Sequence, residues 1–496
     1  MIIYIDKKSV PDIENIPNEV FKYLLEKATP EIERLNKLYQ EYLGRGKRET
    51  QTKDNEVKVN VNYCNYVVKI VRGFFLGEPV KYDNNEKKTE KAFFSSNPQE
   101  VSVKKGKVVA HEWEKVGDTV IDISPVIDAY DKQIISKVDS KIGKYLGIFG
   151  NVQELTYASD DKNPIPKSAV FMPQCCILVQ DNSIEHKNLF FMLFEQRERI
   201  NHQKYYAVTV YTDKTEKEYE SSDLSTFMFT ASEAKEHYFG EVPCINYDND
   251  DDRQSDIEQI ASLSEAYSDL LSNRLTDKKK FIDAILALYG FELPENGKGD
   301  LLENKIIDGI PTDAKIEYIQ KIFDESSVKI LGDDLVRDIH KMSFTVDMSD
   351  EDFSGNITGV ALGMKFMPMS HLAKTKILNM DEGLKKRFEL YNNWLVKKQV
   401  MKPVSKSELD VVFTVDMPSN LKELVDIVEA LEGRVDEATL LSLLPFVKDP
   451  VEMAKTMEAK NKEKQKQYLD SFGKHNPLEE HSEGEETETH EEDLDE

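Results

Sequence analysis

The sequence predicts an α+β chain, mainly helical, with one antiparallel β region set inside it. Three observations carry this. Apolar residues recur at three/four spacing through most of the chain, the period of a helix with one buried face. One such stripe runs from about 360 to 400, longer than a small domain needs, which suggests a bundle, a coiled coil or a large assembly. Between 167 and 230 the pattern changes to β-branched and aromatic runs separated by polar turns, the signature of strands.

The elements follow in order. In PEIERLNKLYQEYL (30–43), Leu35, Leu38, Tyr39 and Leu43 share a helical face, Pro30 stands where helices begin, and GRGKRET ends the pattern. VNYCNYVVKIVRGFFLGEPVKYD (61–83) fits helix or strand at first and a strand from PVKYD. Residues 121–146 suit a helix closed by Gly147 and Gly150. AVFMPQCCILVQD, LFFMLFEQRER, KYYAVTVYTD and STFMFTA supply the strands. A helix over about 255–275 carries Ile257, Ile260, Leu263, Tyr267, Leu270, Leu271 and Leu275, and Ser255, Asp256 and Glu258 favour its N-terminal dipole. Shorter pieces surround PENGKGD. A second helix over about 324–342 carries Val328, Leu331, Leu335, Ile339 and Met342. Gly332 inside it costs about 1 kcal/mol against alanine and marks a bend or a close contact.

The long helix holds Leu362, Phe366, Met369, Ala373, Ile377, Met380, Leu384, Phe388, Tyr391 and Leu395 in register. It should reach ~60 Å, with a kink at Pro368. ELDVVFTVDMP (408–418) reads as a strand. SNLKELVDIVEALEG is a helix with Gly433 just past its end, DEATLLSLLPFV is another, and a third starts with Asp449 as cap and Pro450 at its first position. The tail, 474–496, is acidic, without Lys or Arg after residue 476, and is expected to be disordered.

Composition narrows the function. The 496 residues suggest roughly three domains. A formal net charge of −27 excludes gripping DNA over the whole surface, because phosphates are repelled, but not surrounding it. Cys64, Cys175, Cys176 and Cys244 form no C-x-x-C pair, so no zinc site is expected and the thiols should be reduced and partly buried. MIIYIDKKSV is charged too early for a signal peptide, and no apolar run approaches the ~20 residues that span a membrane, so a soluble protein made in the cytoplasm is expected.

No catalytic constellation, cofactor site or metal site emerges. HEWE (111–114) lacks the spacing of H-E-x-x-H, and there is no G-x-S-x-G. In DNDDDRQSDIEQ (248–259), a calcium loop would need Gly and Glu where Arg253 and Gln259 stand. FSGNITGVALGMKF (353–366) spaces its glycines G-x-x-x-G-x-x-x-G, Val360 and Ala361 follow Gly359, and Asp347, Asp350, Glu351 and Asp352 precede the run. That is neither a dinucleotide fingerprint nor a P-loop; it reads as a mobile loop leading into the long helix. Two basic clusters end helices, DKKK (277–280) and LKKRFELYNNWLVKKQVMK (384–402). A solvated face matching the C-terminal dipole accounts for them; contact with a polyanion is the alternative.

Four stretches in consistent order carry a resemblance: NYVVKIVRGFFLGEPVKYD (65–83), GEVPCINYDNDDDRQSDIEQIASLSEAYSDLLSNRLTDKKKFIDAILALYG (240–290), DEDFSGNITGVALGMKF (350–366) and LEGRVDEATLLSLLPFVKDPVEMAKTMEAKNKE (431–463). Together they resemble bacteriophage portal proteins of long-tailed phages of Gram-positive hosts. Thr358 and Asp436 depart mildly from the family's serines, and 84–120 carries no likeness.

The resemblance implies a mainly helical portal fold with long stem and tunnel helices, an antiparallel β region in the wing, and a helical C-terminal crown. By motif order, 1–254 would hold the N-terminal part and the wing. Residues 255–275 would be the first stem helix, 276–323 the clip, 324–343 the second stem helix and 344–359 the tunnel loop. Residues 360–432 would be the long helix and the rest of the wing, and 433–473 the crown. The tunnel loop would present Asp350, Asp352, Phe353, Gly355, Asn356, Thr358 and Gly359, and Lys278, Lys279, Lys280, Lys385, Lys386 and Arg387 would be candidates to face DNA. The resemblance also implies no enzymatic activity. It implies a homo-oligomeric ring, typically a dodecamer, at one capsid vertex of the virion, conducting double-stranded DNA in packaging and ejection. Its partners would be the terminase large subunit, the head–tail adaptor, scaffold and major capsid protein, with no membrane. A metal-dependent nuclease and a cytosolic helical scaffold are the competing readings.

Overall fold

The computed structural model describes residues 1–10, 12–45, 57–84, 122–221, 229–282, 285–289, 313, 315–319, 325–348, 359–415, 427–442, 444, 447 and 450–472. It is a mixed α+β structure of two units, one of residues 1–356 and 362–417 and one of 357–361 and 418–496.

The first unit opens with β1 (Ile2–Ile5), α1 (Asn18–Leu43), α2 (Tyr63–Leu76) and β2 (Lys81–Asn84). Helix α1 starts twelve residues before Pro30, which lies inside it. The proline does not open the helix because Phe21, Leu24 and Ala28 upstream are buried on the same face as Leu35 and Leu38, and that burial outweighs one missing hydrogen bond. Gly44 ends α1 in the left-handed region, and the Arg45 N–H returns to the Gln40 carbonyl. The ambiguous stretch after it is helical, burying Val67, Val68, Val71, Phe74 and Phe75.

The single helix expected over 121–146 is two, α3 (Ser124–Gln133) and α4 (Ile135–Phe149), broken at Ile134 with φ of 59°. Gly150 then closes α4 at φ of 83°. A Cβ there would meet the Arg253 carbonyl at 2.0 Å, so only glycine fits.

The strands are β3 (Asn151–Ala158), β4 (Pro166–Phe171), β5 (Cys176–Asp181), β6 (Asn188–Glu198), β7 (Lys204–Tyr211), β8 (Thr215–Ser221), β9 (Thr230–Ala231), β10 (Lys235–Glu236) and β11 (Cys244–Asp248). They form two sheets. One runs β1-β5-β6-β7-β8-β10 with β9 beside β8, and the other runs β11-β3-β4. The expected β region is antiparallel, but AVFMPQCCILVQD is not one strand: Pro173 opens a short 3-10 turn that sends β4 and β5 to different sheets. The pairing of β1 with β5 is parallel.

Then come α5 (Ala261–Ile282), the antiparallel ribbon of β12 (Ile285–Tyr289) and β13 (Lys315–Ile319), α6 (Glu325–Met342), the long α7 (Gly359–Lys397) and β14 (Leu409–Val412), which pairs with β2. The main core gathers α1, α2, α3, α4 and α7 against the sheets. Along α7 the buried residues include Phe366, Met369, Ala373, Met380, Leu384, Phe388, Tyr391 and Leu395, as the periodicity predicts. Pro368 lies within this helix.

In the second unit, α8 (Glu437–Ser442) begins beneath Asp436, whose carboxylate accepts the Thr439 N–H at 3.0 Å. Helix α9 (Pro450–Phe472) starts on its proline as expected, and Gly433 is left-handed. The acidic tail lies outside the described residues.

Two glycines give opposite predictions. A Cβ on Gly383 would lie 2.2 Å from the Tyr247 ring, which is itself fully buried. Gly383→Ala should therefore cost about 1–3 kcal/mol through overpacking. A Cβ on Gly332 would meet Leu270 and Tyr267 at ordinary contact distances of 3.7 and 3.8 Å. Gly332→Ala should gain up to about 1 kcal/mol from helix propensity. Denaturant melts of the two variants check both signs.

Candidate functional site

The residues singled out in the sequence fall on the α5–α6 hairpin, on the segment between α6 and α7, and on α7 itself. Helix α5 begins later than expected. Ser255 and Glu258 form a capping box: the Ser255 N–H donates to Glu258 Oε2 at 2.8 Å, and Ser255 Oγ accepts the Ile257 N–H at 3.1 Å. Regular helix starts only at Ala261 and continues to Ile282. The turn before it is held elsewhere, since Arg34 Nη1 donates to Glu258 Oε1 at 2.9 Å.

On α5, Ser264, Ser268, Ser272 and Thr276 recur every fourth residue. An extended strap, residues 57–61, lies along them. The Val57, Val59 and Val61 N–H groups donate to Thr276 Oγ1, Ser272 Oγ and Ser268 Oγ at 2.9, 2.9 and 3.2 Å. The match is metric: four helical residues rise about 6.0 Å and two extended residues about 6.6 Å. Ser268 and Ser272 also donate to the helix carbonyls four residues back, at 2.8 and 2.7 Å. Their oxygens remain able to accept the strap's N–H groups. The Asn62 amide then caps the Tyr42 carbonyl at the end of α1, at 2.9 Å. A strap that forms no sheet thus has its backbone satisfied by side chains.

Helices α5 and α6 pack side by side, with Leu270 and Tyr267 of α5 3.7 and 3.8 Å from the Cβ position of Gly332 on α6. Lys278 Nζ lies 2.7 Å from Glu325 Oε1, and this hydrogen bond holds the Glu325 carboxyl below its usual range. Lys279 is exposed, and the side chain of Lys280 lies outside the described residues. Residues 349–358, which include Asp350, Asp352, Phe353, Gly355, Asn356 and Thr358, also lie outside them. Gly359 is the first residue of α7.

The second basic cluster differs from its expected role. Arg387 does not face a channel: it is 0% exposed. Its Nε and Nη2 donate to the two oxygens of Glu154 at 2.7 and 2.9 Å, and its Nη1 to Asp139 Oδ1 at 2.6 Å. Tyr82 Oη closes the group on Asp139 Oδ2 at 2.7 Å, and Tyr247 Oη on Glu154 Oε2 at 2.6 Å. Burial alone would weaken the base, but Glu154, Tyr247 and Asp139 outweigh it and keep the guanidinium charged. Burial pushes the Asp139 carboxyl up, with Arg387 opposing. Lys386 pairs with Glu241 at 2.5 Å and Glu389 at 3.1 Å, and Lys385 with Asp381 at 2.6 Å. Three adjacent cations are thus matched by acids of this same chain.

A second buried cation was not anticipated. Lys376 is 1% exposed, donates to Asp256 Oδ1 at 2.7 Å and bonds Asn249. The stretch that mimics a calcium loop therefore holds an ammonium group. The four cysteines are free, and burial pushes Cys64 up to about 12 and Cys176 up to about 11. Among the described residues no His, Cys, Asp and Glu cluster could hold a metal ion, and no helix is long and apolar enough to cross a membrane.

Two predictions follow from this geometry. Arg387→Ala strands two buried carboxylates and should cost about 3–5 kcal/mol, whereas Lys385→Ala removes a surface pair and should cost under about 1 kcal/mol; equilibrium unfolding separates them. Ser268→Ala with Ser272→Ala should speed hydrogen exchange at Val59 and Val61 and cost about 1–3 kcal/mol per unsatisfied strap amide. Unchanged exchange would mean that the hydroxyls do not hold the strap.

Comparison with known proteins supplies the family. The model of the family described as phage portal protein, SPP1 Gp6-like, matches residues 22–467. The portal protein of Bacillus phage SPP1 is 26% identical over 261 residues, 49% of this chain and 49% of that protein, so the match spans about half the length of that relative. A solved structure, the neck of an empty GTA particle computed with C6 symmetry, is similar with a TM-score of 0.43 at 10% identity. It covers 76% of this chain and 89% of that chain, a likeness too low to carry an argument. The family match extends over most of the sequence, and the chain belongs to the SPP1 Gp6-like phage portal proteins.

Proposed function

We propose that the chain is the subunit of a ring at the unique vertex of a phage capsid, through which double-stranded DNA enters in packaging and leaves in ejection. Family membership supports the reading. The observation that carries it is the incompleteness of the α5–α6 hairpin. From Glu325 to Asp338 no side chain of α6 is buried. Ile330 is 62% exposed and Leu331 50%. On α5 the buried side chains are hydroxyls facing the strap: Ser264, Ser268 and Thr276. Exposed apolar surface on a paired, elongated helix hairpin calls for a covering surface. A neighbouring copy offset by a fixed rotation supplies one and closes into a ring.

In this reading α5 and α6 form the stem, and the β12–β13 ribbon belongs to the clip that meets the terminase large subunit and later the head–tail adaptor. Residues 344–359 form the tunnel loop, α7 with the sheets forms the wing, and 433–473 the crown. Scaffold and major capsid protein are the assembly partners. The subunit works as a conduit and docking platform, with twelve copies as the expected ring. The acidic balance suits a wall along which DNA slides, because phosphates are repelled from it. Lys278, Lys279 and Lys280 remain the basic candidates near the channel; Lys385 and Lys386 are matched by acids of the chain, and the buried Arg387 is withdrawn.

Electron microscopy with a mass measurement tests the ring: particles with a central hole and a mass near twelve times 57.0 kDa are expected. A chain that stays monomeric in the presence of scaffold and capsid protein would contradict it. Gly359→Val should leave rings intact and lower DNA packaging. Loss of the rings themselves would remove the loop from that role.

A further inference from the structure

A groove of about 550 Å³ opens between α4 and β4. Its floor is apolar, with Val170, Phe171 and Met172, and Lys137 and Lys141 stand on its rim with Glu195. Lys137 and Lys141 are one helical turn apart and exposed, so they share a face. The positive surface continues beyond the groove. Arg72 of α2 reaches α4 where its Cγ lies 3.6 Å from the Cβ position of Gly143. Lys144 is made less basic by burial and then by Arg72, Lys141 and Lys69. That dependence places Arg72, Lys141 and Lys69 each within electrostatic reach of Lys144.

These cations are held differently from those of α5 and α7 described above. Lys278, Lys376, Lys385, Lys386 and Arg387 each have a carboxylate of this chain within 3 Å. Among the described residues, Lys69, Arg72, Lys137, Lys141 and Lys144 make no ion pair. Lys141 donates to the Val170 carbonyl at 2.8 Å, and Lys144 lies over the Tyr42 and Tyr145 rings. The chain has 92 acidic residues against 65 basic ones, yet none of the described acids pairs with these five. Like charges this close repel, and an anion from outside relieves the repulsion.

We propose that this face binds an acidic peptide segment of a partner protein, seating an apolar side chain in the groove while its carboxylates meet the lysines and Arg72. The apolar floor selects a peptide over nucleic acid. A phosphate backbone gains nothing from Val170, Phe171 and Met172. A peptide can place a neutral residue opposite Glu195 and carboxylates elsewhere. The inference goes beyond the ring and does not depend on it.

The test uses the full chain and fluorescence anisotropy with four labelled probes. These are a short peptide of Asp and Glu interspersed with Leu and Phe, the same peptide with Ser for Leu and Phe, the same with Lys for the acids, and a DNA duplex. The first probe should bind, weaken with added salt, and lose about tenfold or more in affinity in Lys137→Glu/Lys141→Glu, a difference of about 1.4 kcal/mol or more. Met172→Ser should weaken the same probe and leave the Ser-substituted one unaffected. Lys137→Glu alone, at an exposed position, guards against loss of folding, which an unfolding melt checks. Equal binding of the Ser-substituted peptide, binding insensitive to the lysine changes, or no binding would overturn the proposal. So would preferential binding of the duplex. A charge-reversal variant that folds but no longer self-associates like the parent would place the face between copies of this chain, and would equally overturn it.

Discussion

One fully desolvated guanidinium organises the first unit. Arg387 sits in the C-terminal third of the long helix and meets Glu154 on β3 and Asp139 on α4, while Tyr82 from β2 and Tyr247 from β11 complete the shell. Five elements spread from residue 81 to residue 397 therefore share one charge. Such a group is not a large net source of stability, because removing ions from water costs several kcal/mol each. Its effect is discrimination: a shift of α7 along its axis leaves an unpaired charge in the core, and no nearby register offers a substitute.

The second cation makes the clamp two-point. Lys376 precedes Arg387 by eleven residues, close to three full turns, so both point into the same side. Lys376 binds the turn ahead of α5 through Asp256, and Arg387 binds the sheet and α4. The long helix is thus fixed to the body at one end of the stem and across the sheet, with Gly383 between them admitting Tyr247 at close range. The α5–α6 hairpin is organised differently. Its strap is held by hydroxyl groups, each bond weak alone, and its apolar side chains are open. In the proposed ring, a rigid body would carry a hairpin that neighbouring copies complete.

Much of this was legible in the sequence. The long helix and its buried stripe, the antiparallel β region, the two stem-like helices and the starts of the last helices all rest on local periodicity and caps. What escaped depends on distant partners. Pro30 reads as a helix start until Phe21 and Leu24 are seen to be buried upstream. Arg387 reads as a surface cation, and Lys376 does not stand out at all, because their carboxylates lie more than a hundred residues away, where no spacing rule reaches. The splitting of β4 from β5 depends on which sheet each joins. The hydroxyl ladder was available as Ser264, Ser268, Ser272 and Thr276 at a period of four, yet a serine stripe means nothing until an extended segment of matching rise lies beside it. Leu331 and Met342 lie on a stripe expected to be buried and are exposed in the single chain, as residues kept for a neighbour would be.

Hydrogen exchange on the full chain, compared before and after assembly, tests the division most directly. The account predicts that amides of α7 around 376–391 are protected in both states, while those of α5 and α6 gain protection only on assembly. Equal protection of the stem in the unassembled chain, or opening of the 376–391 segment there, would contradict it.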